Sequence, residues 1–167
     1  MRLSGGTLAL FVKATLILRG ASAISDSQDI PTAKIIVADD WKPWRRFVAS
    51  AMEERSDLQI VYEAADGMEA VQKARELQPE LVVLDIGLPK LNGIEAARRI
   101  RDCAPKTRIL FFSQNRSHEI AEEAMRTGDG YLVKSDGATE FLSAVDAVLQ
   151  GNRFLSESLS SDRPNKR

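Results

Sequence analysis

From residue 34 onward the apolar positions of the chain fall into two alternating rhythms. Short apolar runs, KIIVA (34–38), LQIVYEA (58–64), ELVVLD (80–85), RILFFS (108–113) and YLVK (131–134), are each followed by a stretch with wider apolar spacing. The runs predict strands, and ELVVLD, with no polar alternation, predicts one buried on both faces. In the first spaced stretch Trp44, Phe47, Val48, Ala51 and Met52 recur at intervals of three and four, which predicts a helix, and Pro43 suits its first turn. Asp66 with Glu69 predicts a capped helix through about Gln78, and Asn92 with Glu95 another through about Asp102. Residues 117–127 predict a fourth helix. Residues 137–150 predict a fifth, with Phe141, Leu142, Val145, Val148 and Leu149 on one side and Gly151 at its end. Such a βα rhythm predicts an α/β fold, a parallel sheet covered by helices on both faces.

That topology gathers the residues following each strand along one edge of the sheet, where open α/β folds bind ligands. Asp39 and Asp40 follow the first strand, Asp85 the third, Ser113 the fourth and Lys134 the fifth. Loops are polar in general, so any one of these residues carries little weight. The set, with nothing comparable at the opposite edge, carries far more. A carboxylate at the end of an apolar strand, as at Asp85, is costly to desolvate without a cation or donors. Two like charges about 4 Å apart repel by roughly 4 kcal/mol at an effective dielectric near 20, so three clustered acids call for a cation or raised pKa values. An all-oxygen site without His or Cys favours Mg2+, which keeps waters and shares its shell with phosphoryl groups. Lys offers a point charge to phosphoryl oxygens, Ser a hydroxyl, and an aspartate can itself be the nucleophile, forming an acyl phosphate. The set is suited to phosphorylating one of its own carboxylates.

Composition narrows the class. At 167 residues, 44% apolar, 28% charged and a net charge of −1, the chain reads as one soluble globular domain with tails. No strong basic field points to direct nucleic-acid contact. Cys103 is the single cysteine, which excludes a disulfide framework or a thiolate metal cluster and fits a reducing, cytoplasmic setting. Residues 1–33 combine a basic start, an apolar run split by Lys13 and an Ala-Ser-Ala, and read as a weakly ordered extension rather than a secretory signal. No apolar stretch approaches 20 residues, so no membrane span is expected. The domain is expected over 34–155, with a polar tail over 156–167.

The motifs VADD, LDIGLP, LNGIEAARRIR, LFFS and GYLVKS, in this order, give residues 34–155 a resemblance to the receiver domain of two-component response regulators. The resemblance implies a flavodoxin-like receiver fold, a five-stranded parallel sheet in the order 2-1-3-4-5 flanked by five helices. It implies that Asp85 is the phospho-acceptor and that Asp39, Asp40, Asp85 and the Gly87 backbone carbonyl hold Mg2+. Lys134 and Ser113 are implied to bind the phosphoryl group, with Ser113 and Tyr131 as the switch pair. The implied donor is a sensor histidine kinase or a phosphotransfer protein. The implied output is a downstream protein that meets the fourth helix and fifth strand, with a phosphorylation-dependent dimer among the expected states. Such a protein is not an enzyme but an acceptor that assists its own phosphorylation and dephosphorylation.

Several positions depart from the family pattern. Lys134-Ser135 replaces the common Lys-Pro, as in the subgroup that precedes a helix-turn-helix output, and the likeness runs through AVDAVLQGNRFLS. The sequence ends at Arg167, so a stand-alone receiver is expected, with a fragment of a DNA-binding transcriptional regulator as the competing reading. Gln114 stands where a small residue is usual, with Asn115 next, and the two are expected to modulate access to Asp85 or the lifetime of its phosphate. A receiver-like interaction module that no longer phosphorylates is therefore the other alternative. The turn RTGDGY is one residue short, a trim expected to be absorbed by Gly128 and Gly130 rather than to displace Lys134. Trp41 is read either as overlying the metal site or as a packed surface aromatic, and His118 as a solvated side chain. Two other chemistries fit poorly. An aspartate-nucleophile phosphatase wants an acid where Trp41 stands, and a nucleotide binder wants glycines that DDWKPW lacks.

Overall fold

The computed structural model describes residues 32–161. Of the expected extension only residues 32 and 33 fall within this range, and residues 162–167 of the expected tail lie outside it. Strands β1 (Ala33–Ala38), β2 (Leu58–Ala64), β3 (Leu81–Leu84), β4 (Arg108–Ser113) and β5 (Gly130–Val133) alternate with helices α1 (Lys42–Met52), α2 (Gly67–Leu77), α3 (Gly93–Cys103), α4 (His118–Met125) and α5 (Gly137–Leu149). A two-residue strand β6 (Phe154–Leu155) and a short helix α6 (Glu157–Ser161) follow. All strand pairs are parallel, in the order β2-β1-β3-β4-β5-β6. The order reverses between β1 and β3, and this is where a crevice opens in such sheets.

Strand alternation divides the core between two layers. Ile36, Ala38, Val82, Leu84, Phe111 and Tyr131 face α2, α3 and α4, whose contributions are largely alanines such as Ala70, Ala96 and Ala121. Ile35, Val37, Leu81, Val83, Leu110 and Phe112 face α1 and α5 through Val48, Met52, Phe141, Val145 and Val148. The caps act as their sequences predict. Asp66 Oδ1 accepts from the Glu69 N–H at 2.8 Å, while the Glu69 carboxylate accepts from the Ala65 N–H at 2.8 Å and the Tyr62 hydroxyl at 2.7 Å. Asn92 Oδ1 accepts from the Glu95 N–H at 2.9 Å. Gly151, at φ 86°, ends α5 in the left-handed region.

The sheet has six strands rather than five. β6 adds at the β5 edge with Gly130 opposite Phe154 and Tyr131 opposite Leu155, and a strand of two residues has no period to read from sequence. The expected polar tail is also corrected at its start. Ser156 is fully buried, donates its N–H to the Tyr131 carbonyl at 3.0 Å and accepts from the Val133 N–H at 2.8 Å through its hydroxyl. A serine thereby satisfies a backbone donor at the sheet edge, and Leu159 of α6 is buried beyond it.

The short turn before β5 is held by charge. Asp129 pairs with Arg101 and, at 3.1 Å, with Arg108, and it accepts from the Ile109 N–H at 2.8 Å. Gly128 and Gly130 serve this turn through space rather than backbone freedom, since Gly151 is the only glycine with positive φ among the described residues. A Cβ on Gly128 would lie 2.6 Å from the Phe111 ring, and one on Gly130 would lie 2.8 Å from both Leu110 and Val148 side chains.

Candidate functional site

β1 and β3 deliver two carboxylates to the reversal point of the sheet. The Asp39 N–H bonds to the Ala64 carbonyl at 3.1 Å and the Asp85 N–H to the Ala38 carbonyl at 2.8 Å, so the sheet ladder itself fixes both backbones. Lys134, at the start of a 3-10 turn (Lys134–Asp136) directly after β5, places its Nζ 2.5 Å from Asp39 Oδ2 and 3.0 Å from Asp85 Oδ1. Trp41 N–H donates to Asp39 Oδ1 at 2.9 Å, and Gly87 N–H donates to Asp85 Oδ2 at 2.8 Å. All three charged side chains are buried, at 10% exposure or less. One ammonium serves two carboxylates, so the buried group carries an excess negative charge. Burial pushes the Asp85 carboxyl up from its ordinary range. Lys134 and the Gly87 N–H pull against that, and the Asp39 charge adds to it. The short turn therefore leaves Lys134 in register with the acids.

These groups line an open cleft of about 530 Å3, together with Asp40, Gly87, Ser113, Gln114 and Asn115. Of the predicted site residues only Tyr131 is absent from the lining. Asp40 is exposed, and its carboxylate makes no hydrogen bond or ion pair among the described residues. Among those residues no three acidic, His or Cys side chains converge into a ready-made metal cage. The donors facing the cleft are nonetheless all oxygen, and a hard divalent cation that retains waters needs only one or two carboxylates. The residues present thus fit Mg2+.

Ser113 is buried, and its hydroxyl accepts from the Asn115 N–H at 3.2 Å. Tyr131 points inward, fully buried, and its hydroxyl donates to the Asn115 carbonyl at 2.8 Å. The two expected switch residues therefore hold one backbone unit between them. Asn115 also accepts from the Ser117 N–H at 2.8 Å and so organises the loop into α4, a structural part beside its place on the cleft wall. Gln114 is exposed at the rim.

Trp44, Arg45 and the cleft-lining Ile86 escaped the sequence. Trp44 lines the cleft, with its ring centroid 5.3 Å from Lys134 Nζ. Arg45 donates to the Asp39 carbonyl at 2.7 Å and pairs with Glu63 at 2.9 Å. The usable signal was position, since Trp44 falls one helical turn beyond Asp40. Trp41 is 55% exposed, packs edge-on against Trp44 with centroids 5.8 Å apart, and lines the cleft, so both readings of it describe part of its setting. His118 corrects an expectation: its Nε2 is buried with no hydrogen-bond partner among the described residues.

The β3–α3 loop is tightly closed under Asp85. Gly93 N–H bonds to the Ile86 carbonyl at 2.9 Å, and a Cβ on Gly93 would fall 2.0 Å from the Asp85 carbonyl oxygen. Lys90, at φ 63°, reaches Asp66 Oδ2 at 2.5 Å and ties this loop to the N-terminus of α2.

A doubly wound parallel sheet carrying an acidic cleft and a lysine at its switch point defines a flavodoxin-like α/β protein of the receiver type. Residues 35–146 match the response regulator receiver domain family, and the chain belongs to it. The transcriptional regulatory protein LnrK of Bacillus subtilis is 33% identical over 134 residues, which cover 80% of this chain and 61% of that protein. The nitrate/nitrite response regulator protein NarL of Escherichia coli is 32% identical over 129 residues, covering 77% of this chain and 60% of that protein. The chain thus spans about three fifths of the length of these curated relatives. A two-component response regulator of the LuxR family from Aurantimonas has a crystal structure that superposes with a TM-score of 0.74 at 36% identity, covering 78% of this chain and 94% of that one. Among the described residues no helix is long and apolar enough to cross a membrane.

Proposed function

We propose that this receiver is switched by transfer of a phosphoryl group onto Asp85 from the phosphohistidine of a sensor histidine kinase or a phosphotransfer protein, in the cytoplasm. The observation that carries this reading is the Lys134 ammonium lying within 2.5 Å of Asp39 and 3.0 Å of Asp85 at the wall of an open cleft. In the transfer an Asp85 carboxylate oxygen attacks phosphorus, the P–N bond of the donor breaks, and the electron pair leaves with the imidazole nitrogen. The Gly87 N–H fixes one Asp85 oxygen, so the carboxylate is oriented before a donor arrives. Lys134 offers its charge to the phosphoryl oxygens. Asp39, Asp40, Asp85 and the Gly87 carbonyl are the residues that would hold Mg2+, which when bound supplies countercharge to those oxygens. Gln114 stands at the rim, where it restricts the approach of donor or water.

The product adds about −1.5 to −2 charges and new acceptor oxygens beside a buried hydroxyl. Ser113 turns toward them and releases the Asn115 N–H. The Asn115 carbonyl is the acceptor for Tyr131, so the loop into α4 changes with it and passes the event to a partner protein or a second receiver. Asp85→Asn should abolish Mg2+-dependent labelling by a small acyl phosphate. Undiminished labelling of that variant would sink the assignment, and an unlabelled native protein would favour a pure interaction module. A second reading, a receiver working within a transcriptional regulator, draws support from longer relatives that carry that description. Finding the native gene product to be no longer than this chain would count against it.

A further inference from the structure

Among the described residues Lys134 is the one group touching both buried carboxylates, so the placement of its ammonium decides what the cleft can do. An ammonium has three N–H donors, and Asp39 and Asp85 account for two. No third oxygen partner is found among the described residues. Aromatic faces lie there instead, Trp44 with its centroid 5.3 Å from Nζ and Phe112 with its centroid at 5.8 Å. Both distances fall within the range of a cation–π contact.

Trp44 is itself packed among rings. It meets Trp41, Phe47 and Phe112 at centroid distances of 5.8, 5.7 and 5.5 Å, all edge-on, so moving it away from Lys134 breaks three aromatic contacts. Its indole Nε1 is buried with no acceptor among the described residues. Packing alone would favour a phenyl ring at this position, because a phenyl leaves no orphan donor. What the indole adds is the most favourable π face for a cation.

We propose that Trp44 is a positioning residue for Lys134, its ring closing the third side of the ammonium and holding it between Asp39 and Asp85. The functional arm of the claim rests on the phosphoryl-transfer reading; the contact itself does not.

The chain has two tryptophans, so in a Trp41→Phe background Trp44 is the sole indole. In that background Lys134→Met should shift the Trp44 emission maximum while circular dichroism confirms folding, and Lys106→Met, far from the cleft, should leave it unchanged. Labelling by acetyl phosphate with Mg2+ should slow about three- to tenfold in Trp44→Phe and further in Trp44→Leu, at a temperature where every variant is folded. Melting temperatures should not follow that order, because the phenyl variant loses an orphan donor, which helps stability, while it offers the ammonium a weaker π face, which slows labelling. Labelling at the native rate in both Trp44 variants, or Trp44 emission indifferent to Lys134→Met, would overturn the proposal. Should the native protein take no label, the phosphoryl reading fails and the emission experiment alone decides the contact.

Discussion

Lys134→Met tests the buried charge group most directly. The substitution keeps the length and apolar stem of the side chain and deletes only the ammonium. At an effective dielectric near 20, unit charges 2.5 and 3.0 Å apart attract by about 6–7 and about 5–6 kcal/mol, offset in large part by the cost of burying the ammonium. Removing one partner of a buried pair costs about 3–5 kcal/mol, because the remaining charge is left uncompensated. Here two carboxylates remain, each left with one backbone N–H donor among the described residues. The expected loss is therefore about 3–5 kcal/mol at neutral pH in the absence of divalent cations, with a melting temperature lower by roughly 10 °C or more. Mg2+ should recover more stability in the variant than in the native chain, since it replaces a missing cation in one and competes with a resident one in the other. The assay is urea unfolding of the full chain with and without Mg2+. An unchanged midpoint without metal would refute the buried, uncompensated pair. Asp85→Asn should move the other way, raising stability without metal, because a buried carboxyl held above its ordinary range costs stability once it is ionised.

Two further substitutions test the frame around the site. Asp66→Ala should cost about 1–2 kcal/mol at neutral pH through loss of the α2 cap, with little from Lys90, which is 68% exposed. The Lys90 contact, then the Glu69 N–H, hold the Asp66 carboxyl below its ordinary 3.8. Its contribution is thus present above that value and fades as pH falls through the lower folded value, so native and variant melting curves should converge in acid. Curves that stay parallel at every pH would contradict this. Gly93→Ala places a methyl 2.0 Å from the Asp85 carbonyl oxygen and 2.8 Å from Ile86 Cα, backbone atoms that no rotamer change can clear. A loss of about 3 kcal/mol or more is expected in denaturant unfolding, and native-like stability would mean the loop beneath Asp85 is looser than described.

What the sequence makes legible here is what strands deliver. A parallel sheet sends every strand's carboxyl end to one edge, so the residues that end or directly follow KIIVA, ELVVLD, RILFFS and YLVK meet whatever the loops between them do. Contacts that depend on a partner distant in sequence are not legible in this way. Trp44 has the same three-four spacing as Val48 and Met52, and nothing in that spacing separates the residue beside Lys134 from two that fill the core. Ser156 reads as the start of a polar tail because its partner, the Val133 N–H, is a sheet-edge group that no side-chain pattern reveals. The short turn before β5 could not be judged from its own residues, because what steadies it are Arg101 and Arg108, 28 and 21 positions before Asp129.

The same distinction divides the site. Asp39, Asp85 and Lys134 are buried and anchored at or directly beyond the ends of three sheet strands, so their mutual distances move only if the sheet moves. Asp40 and Gln114 are exposed loop residues at the rim, free of such constraint. On the proposed phosphoryl-transfer reading, a change at the rim should alter which donor enters or how long a phosphoryl group stays while the buried charges are untouched, whereas a change in the buried group should alter stability and chemistry together. Gln114 belongs to the first class. Gln114→Ala should change the rate of labelling or of label loss at constant melting temperature, and a variant that shifts both would place Gln114 with the buried set.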